Sequence, residues 1–173
     1  MKILAISGSL REKSYNTTII NTLASLNTEI EIYKDLDKLP FFNPDLDIHT
    51  LKEDSSPVQV KILREKIAEA DLLIISTPEY AFEIPGVLKN ALDWLVSGSS
   101  MVEKSVVVIS ASTSGMGADK ANEVLRNLVK VLTGKEVSLF LTIDRVNKKI
   151  DTSGRVTDTI LLEELQKISC KKE

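Results

Sequence analysis

The sequence predicts one α/β domain spanning 1–173, a five-stranded parallel sheet of order 2-1-3-4-5 with helices on both faces. Three observations carry that expectation. Four short runs are apolar almost without interruption, as strands buried on both faces are. Helical apolar periodicity fills the intervals between them. Strand and helix alternate along the chain, which calls for right-handed crossovers and a parallel sheet.

The elements follow in order. Residues 2–6 form the first strand, and the helix over 17–26 carries Ile19, Ile20, Leu23 and Leu26. The alternating EIEIY of 29–33 reads as a half-covered strand. Residues 34–57, with LPFFNPDLD, EDSSP and three prolines, have little prospect of regular structure, and irregular stretches of that length are usually functional or mobile. The helix over 58–69 presents Val60, Ile62, Leu63 and Ile67, and leads to the third strand at 70–76 (ADLLIIS). A helix over 85–96 opens on Pro85 at its first helical position, where a missing N–H does no harm, and repeats Ile84, Leu88, Leu92 and Leu95. Strands at 105–110 and 137–142 flank a helix over 118–132, and a helix over 156–168 closes the series.

Composition narrows the function. Apolar residues are 43% and charged residues 27% of the chain, the profile of a soluble globular domain. A net charge of -3 argues against a nucleic-acid partner, because phosphate-backbone binding leaves a basic footprint. The lysines at 148–149 and 171–172 read as solvated surface. One cysteine, Cys170, permits no internal disulfide. No apolar run is long enough to span a bilayer and no leader is expected, so a reducing cytoplasm fits. His49, the only histidine, lies in the acidic stretch, and no G-x-S-x-G elbow, H-E-x-x-H or Cys–His spacing occurs. Neither nucleophilic-triad chemistry nor a metal site is expected. A cleft so poor in acid–base residues takes its chemistry from a cofactor.

In a sheet of this order the ligand lies outside the carboxyl ends of the strands, at the switch point between strands 1 and 3. Three loops converge there. The first, SGSLREKSYNTT, leads into a helix whose N-terminus suits a phosphate, with Ser9, Ser14 and Thr17 as hydroxyl donors, the Asn16 amide and the Arg11 guanidinium. It lacks a Walker lysine and G-x-G-x-x-G, so a terminal monophosphate suits it better than a pyrophosphate. A plain serine-rich turn with a helix cap is the other reading of the same residues. The second loop, TPEYAFEIPG, offers backbone amides to the edge of a flat heterocycle and Tyr80 and Phe82 as apolar walls, although either aromatic taken singly reads as loop packing, as does Trp94. The third, SASTSGMGADK, permits close backbone approach at Gly115 and Gly117.

Taken together, GSLREKSYN, PEYAFEIPGVLKNALDW and STSGMG closely resemble the NADPH-dependent FMN reductase family, flavodoxin-like enzymes that include quinone and chromate reductases. The family's outline patterns are GSLRxxSxN and PEYNxSIPGxLKNAIDW. The resemblance extends over most of the chain, and LPFFNPDLD and IDTSGRVTD also look like family segments. It implies a flavodoxin-like three-layer sandwich that binds FMN and uses NADPH or NADH as co-substrate. It assigns the FMN phosphate to Ser9, Arg11, Ser14, Asn16 and Thr17, with Tyr15 among them. Pro78, Glu79, Tyr80, Ala81 and Phe82 would run along the isoalloxazine and ribityl groups, with Ser112, Ser114 and Gly115 across the ring. No side chain is expected to be catalytic, the chemistry residing at flavin N5. The implied acceptor is a quinone, free flavin or similar small molecule, and the implied assembly a homodimer or homotetramer. The chain departs from the pattern at Ala81, where asparagine is usual, and at Glu83, where serine is usual. The competing functions are a flavodoxin-type electron carrier between protein partners and a flavin-free binding protein.

Overall fold

The computed structural model describes residues 1–47 and 55–171; His49 and Lys172 lie outside them. Strands β1 (Ile3–Ser7), β2 (Ile30–Tyr33), β3 (Leu72–Thr77), β4 (Ser105–Ala111) and β5 (Leu139–Ile143) form one parallel sheet in the order β2-β1-β3-β4-β5. The helices are α1 (Tyr15–Leu26), α2 (Val58–Glu69), α3 (Gly86–Asp93), α4 (Asp119–Thr133) and α5 (Thr159–Ser169). Ser7 pairs with Ser76, Thr77 with Ser110 and Ala111 with Ile143, so the carboxyl ends of β1, β3, β4 and β5 line one edge. This is the flavodoxin-like arrangement that the alternation predicts.

The pleat sorts the strand residues into two cores. Leu4, Ile6, Leu73, Ile75, Val106 and Val108 pack with α2, α3 and α4 on one face. Ile3, Ala5, Leu72, Ile74, Val107 and Ile109 pack with α1 and α5 on the other. Each buried aliphatic side chain contributes roughly 1.5–3 kcal/mol, which is why β1, β3 and β4 need no polar positions facing either layer.

Local chemistry shifts several boundaries. Helix α1 starts at Tyr15, ahead of the predicted 17, because Ser14 caps it by accepting the Thr17 N–H at 3.3 Å. Pro85 occupies the N-cap of α3 rather than its first turn, with ψ of 141°. Asp158 delays α5 to Thr159 by accepting the Leu161 N–H at 2.8 Å. The predicted burial of the last strand does not hold. β5 is an edge strand paired only to β4, with Leu139 39% and Phe140 50% exposed. A continuous apolar run marks a strand covered on both faces only when other strands flank it, and here the Arg126 guanidinium covers the Phe140 ring at 4.1 Å instead.

The described part of the irregular stretch after β2 includes two single 3-10 turns, Leu36–Lys38 and Pro44–Leu46, and is pinned to α3 and α2. Trp94 is fully buried, donates from Nε1 to the Pro40 carbonyl at 2.8 Å, and meets Phe42 edge-on with centroids 5.0 Å apart. Asn90 accepts the Phe42 N–H at 2.8 Å and donates to Pro40 at 3.0 Å. Arg64, buried beneath the stretch, donates to Asp47 at 2.8 Å and to Ser56 at 2.7 Å. KNALDW and LPFFNPDLD are therefore two halves of one joint.

Candidate functional site

Each of the three loops leaves the sheet at the carboxyl edge. In the first, Gly8 packs so closely on α3 that a Cβ there would stand 2.9 Å from Leu88 Cδ2, which fixes where the chain turns. Ser14 is buried and its Oγ is engaged as the α1 cap; Thr17 pairs its hydroxyl with Ser7 Oγ at 2.8 Å. Ser9 accepts the Arg11 N–H at 3.3 Å. The first-turn amides of Tyr15 and Asn16 have no intrahelical acceptor, as at any helix start. The Arg11 side chain is exposed and forms no ion pair among the described residues.

Asn16 differs from the sequence expectation in what its side chain does. It is buried, donates through Nδ2 to the Ala111 carbonyl at 3.2 Å, and accepts from Ser76 Oγ at 2.8 Å. The amide thus ties the start of α1 to the ends of β4 and β3.

In the second loop Tyr80 and Glu83 exchange two backbone hydrogen bonds of 3.0 and 3.1 Å. The two residues between them, Ala81 and Phe82, have φ of 53° and 65°. Two positive φ values in a two-residue hairpin loop define a type I′ turn, whose first position favours asparagine. The turn lifts Tyr80 and Phe82 into solvent, 54% and 73% exposed, so they line the mouth and are not packed beneath it. Glu79 turns the other way. Its Oε2 accepts the Ala121 N–H at 3.1 Å, in the first turn of α4. Ala118, the N-cap of that helix, has φ of 62° and no side-chain oxygen, so the carboxylate of the second loop caps the helix that follows the third.

The third loop is folded by its own hydroxyls. Ser112 Oγ accepts the Ser114 N–H at 3.1 Å, and Ser114 Oγ accepts the Met116 N–H at 3.3 Å. Gly117 has φ of 63°, and a Cβ there would press on the backbone between Ile143 and Asp144 at 3.0–3.2 Å. The segment after β5 locks on from outside, with Arg145 N–H donating to Ser114 O at 2.9 Å and Val146 N–H to Ser112 O at 3.0 Å.

The comparisons with known proteins now decide the family. The family profile described as NADPH-dependent FMN reductase matches residues 1–148. The chain belongs to the NADPH-dependent FMN reductase family. It is 31% identical to an NAD(P)H:quinone oxidoreductase of Solanum tuberosum, over 91% of this chain and 84% of that one. With a quinone reductase of Escherichia coli K12 it shares 28% identity over 95% and 89% of the two chains. The solved structure of FerB, a flavoenzyme NAD(P)H:(acceptor) oxidoreductase of Paracoccus denitrificans, superposes with a TM-score of 0.78 at 27% identity, covering 98% of this chain and 93% of that one. Membership of the FMN reductase family makes the chain an NAD(P)H-dependent oxidoreductase with FMN as cofactor.

Three contributors at this edge were not among the site residues expected from the sequence: Ser7, Ser76 and Arg145. The signal for Arg145 was present, since a residue that follows any strand of a parallel sheet emerges at the same edge. A concavity of about 530 Å³ between α2 and residues 98–104 lies at the opposite, amino edge, and its Arg64 is committed to Asp47. Among the described residues no cluster of His, Cys, Asp and Glu could hold a metal ion.

Proposed function

We propose that the protein reduces quinones with electrons from NAD(P)H, holding FMN at the carboxyl edge of β1, β3 and β4. The observation that carries this reading is the donor set at the start of α1. The unpaired amides of Tyr15 and Asn16, the hydroxyls of Ser9, Ser14 and Thr17 and the free Arg11 guanidinium together suit a dianionic monophosphate. FMN held by these residues would supply the two-electron redox chemistry between the reduced pyridine nucleotide and the acceptor.

The chain's own residues position and enclose. The Ser112, Ser114 and Gly115 backbone and the stretch of Pro78, Glu79, Tyr80, Ala81 and Phe82 would flank the ring system. Tyr80 and Phe82, exposed on the type I′ turn, give a planar acceptor aromatic surface to stack on. A quinone needs no side-chain acid held in a buried pocket, and these loops present none. The similarity to the Solanum and Escherichia quinone reductases supports the same acceptor class.

In this reading residues 1–173 are one FMN-binding domain working in the cytoplasm as a homodimer or homotetramer. Among the described residues no helix is long and apolar enough to cross a membrane. Val96 and Val102, 66% and 58% exposed beyond α3, offer apolar surface to a second copy.

The test is a visible spectrum of the purified protein, followed by anaerobic NADPH and then a benzoquinone. Bleaching of a bound flavin by NADPH and its recovery on quinone addition are the expected results, with weaker FMN binding in Arg11→Ala. A flavin that neither NADPH nor NADH bleaches would refute the reading.

A further inference from the structure

Arg145 follows β5 and no part of the proposed reaction has yet used it. Its backbone is held at φ of 43°, a conformation that residues with a side chain avoid. Two hydrogen bonds to the third loop impose that shape, from Arg145 N–H to Ser114 O and from Val146 N–H to Ser112 O. The result is that the guanidinium lies over Gly115, with Nη2 3.6 Å from the point where a side chain on that glycine would begin.

The charge there is largely unspent. Asp144, the nearest acid, gives its carboxylate to Lys149 at 2.7 Å, and that ammonium holds the Asp144 carboxyl below the usual carboxylate range. Arg145 reaches the same carboxylate only at 3.8 Å, with a side chain 61% exposed. Residues 144–149 carry three cations against one acid, on a chain whose net charge is -3. The carboxyl edge thus has two cationic poles. Arg11 and Lys13 stand at β1, and Arg145 and Lys148 stand at β5, three strand spacings or roughly 14 Å away.

We propose that Arg145 binds a phosphate of the reduced pyridine dinucleotide and is a specificity-determining residue for the electron donor. This rests on the proposed FMN site. FMN has a single phosphate, which the pole at β1 accounts for. A molecule lying on the ring between the second and third loops meets the β5 pole with whatever extends beyond it. A neutral quinone brings no anion to that side, whereas a pyridine dinucleotide brings a pyrophosphate and, in NADPH, a further 2′-phosphate.

The experiment compares FMN-loaded wild type with Arg145→Ala, Arg145→Lys and Arg145→Gly, the last because glycine keeps the positive φ without strain. Binding of NADP+ and NAD+ is read from the flavin difference spectrum, alongside KM for NADPH, NADH and benzoquinone. Arg145→Ala should weaken NADP+ and raise KM for NADPH about tenfold while FMN affinity and KM for quinone stay put. Arg145→Lys should recover part of the loss, and Arg145→Gly should match Arg145→Ala. Wild-type NADP+ binding should also weaken with salt more steeply than that of the alanine variant. Equal losses for NAD+ and NADP+ assign the contact to the pyrophosphate; loss for NADP+ alone assigns it to the 2′-phosphate. Unchanged donor binding in all three variants, or a KM rise confined to quinone, overturns the proposal. If wild type is bleached by NADPH or NADH and the variants match it in donor binding, only the Arg145 assignment falls; if neither donor bleaches wild type, the proposed function falls with it.

Discussion

Ala81→Asn should stabilise this protein, and the reason lies in two backbone angles. Ala81 and Phe82 are the central pair of a type I′ turn, at φ of 53° and 65°. Left-handed backbone costs a residue with a Cβ roughly 1–2 kcal/mol, and asparagine bears it more readily because its short polar side chain bonds locally. Ala81 is exposed, so the substitution disturbs no packing. Recovering about half of the cost gives about 0.5–1 kcal/mol. In a domain of this size 1 kcal/mol moves Tm by roughly 2–4 °C, so a rise of about 1–4 °C is expected. Ala81→Val should do the reverse, since a β-branched residue suits positive φ worst. A turn that is better formed before FMN arrives should also tighten FMN binding by a few-fold, because less ordering remains to be done on association. Thermal unfolding of the FMN-free protein and a fluorescence titration with FMN measure the two effects. An Ala81→Val variant as stable as wild type, or an Ala81→Asn variant with a lower Tm, would refute the reasoning.

Two further perturbations probe the frame around the site. Glu79→Ala removes the cap that α4 receives from the second loop and should cost about 1 kcal/mol, with faster hydrogen exchange at the Ala121 amide. Glu79→Gln keeps an acceptor and should lose less than half as much; an equal loss in both variants would show that charge rather than the hydrogen bond matters. For Asp47, burial alone would raise the carboxyl pKa, but hydrogen bonds from Ser97, Arg64 and Ser56 and the Arg64 charge hold it below the ordinary value. Its contribution is therefore complete above the unfolded carboxylate pKa near 3.9 and is lost as pH falls below it. Asp47→Asn should cost roughly 3 kcal/mol at pH 7 and give a shallower decline of stability between about pH 5 and 2. A decline as steep as that of wild type would remove Asp47 from the account.

The strand order was legible because period and alternation are properties of the chain: the LLII of ADLLIIS and the VVVI of SVVVIS are apolar without interruption. The order of elements then located the three loops at the carboxyl edge of the sheet. What stayed hidden depends on distance in space. Nothing in PEYAFE says that Glu79 would cap a helix 42 residues away, because the vacancy it fills is created by the positive φ of Ala118. Nor does SYN say that the Asn16 side chain would bond Ala111 and Ser76, because those contacts exist only once β3 and β4 lie beside it. β5 misled for a related reason, since an edge strand and a central strand can share one apolar composition.

The backbone angles connect these hidden features. Among the described residues five other than glycine have positive φ, and four of them, Ala81, Phe82, Ala118 and Arg145, stand in or beside the loops of the carboxyl edge. At roughly 1–2 kcal/mol each they store a sizeable part of the 5–15 kcal/mol by which a domain is usually stable. Strain of that kind persists only where surrounding bonds over-determine it. Here those bonds run between loops: Glu79 from the second loop to α4, Arg145 and Val146 from beyond β5 to the third loop, Asn16 from α1 to the ends of β3 and β4. The cleft has few acid–base side chains, and what the fold spends stability on is the shape of its rim. That suits a site whose cofactor performs the chemistry and whose protein must hold flat molecules in register. It also explains why the departure at Ala81 is tolerated: the turn is closed by its two backbone bonds and flanked by Glu79, which is anchored to the start of α4, so the asparagine that would relax it improves the frame without being needed to build it.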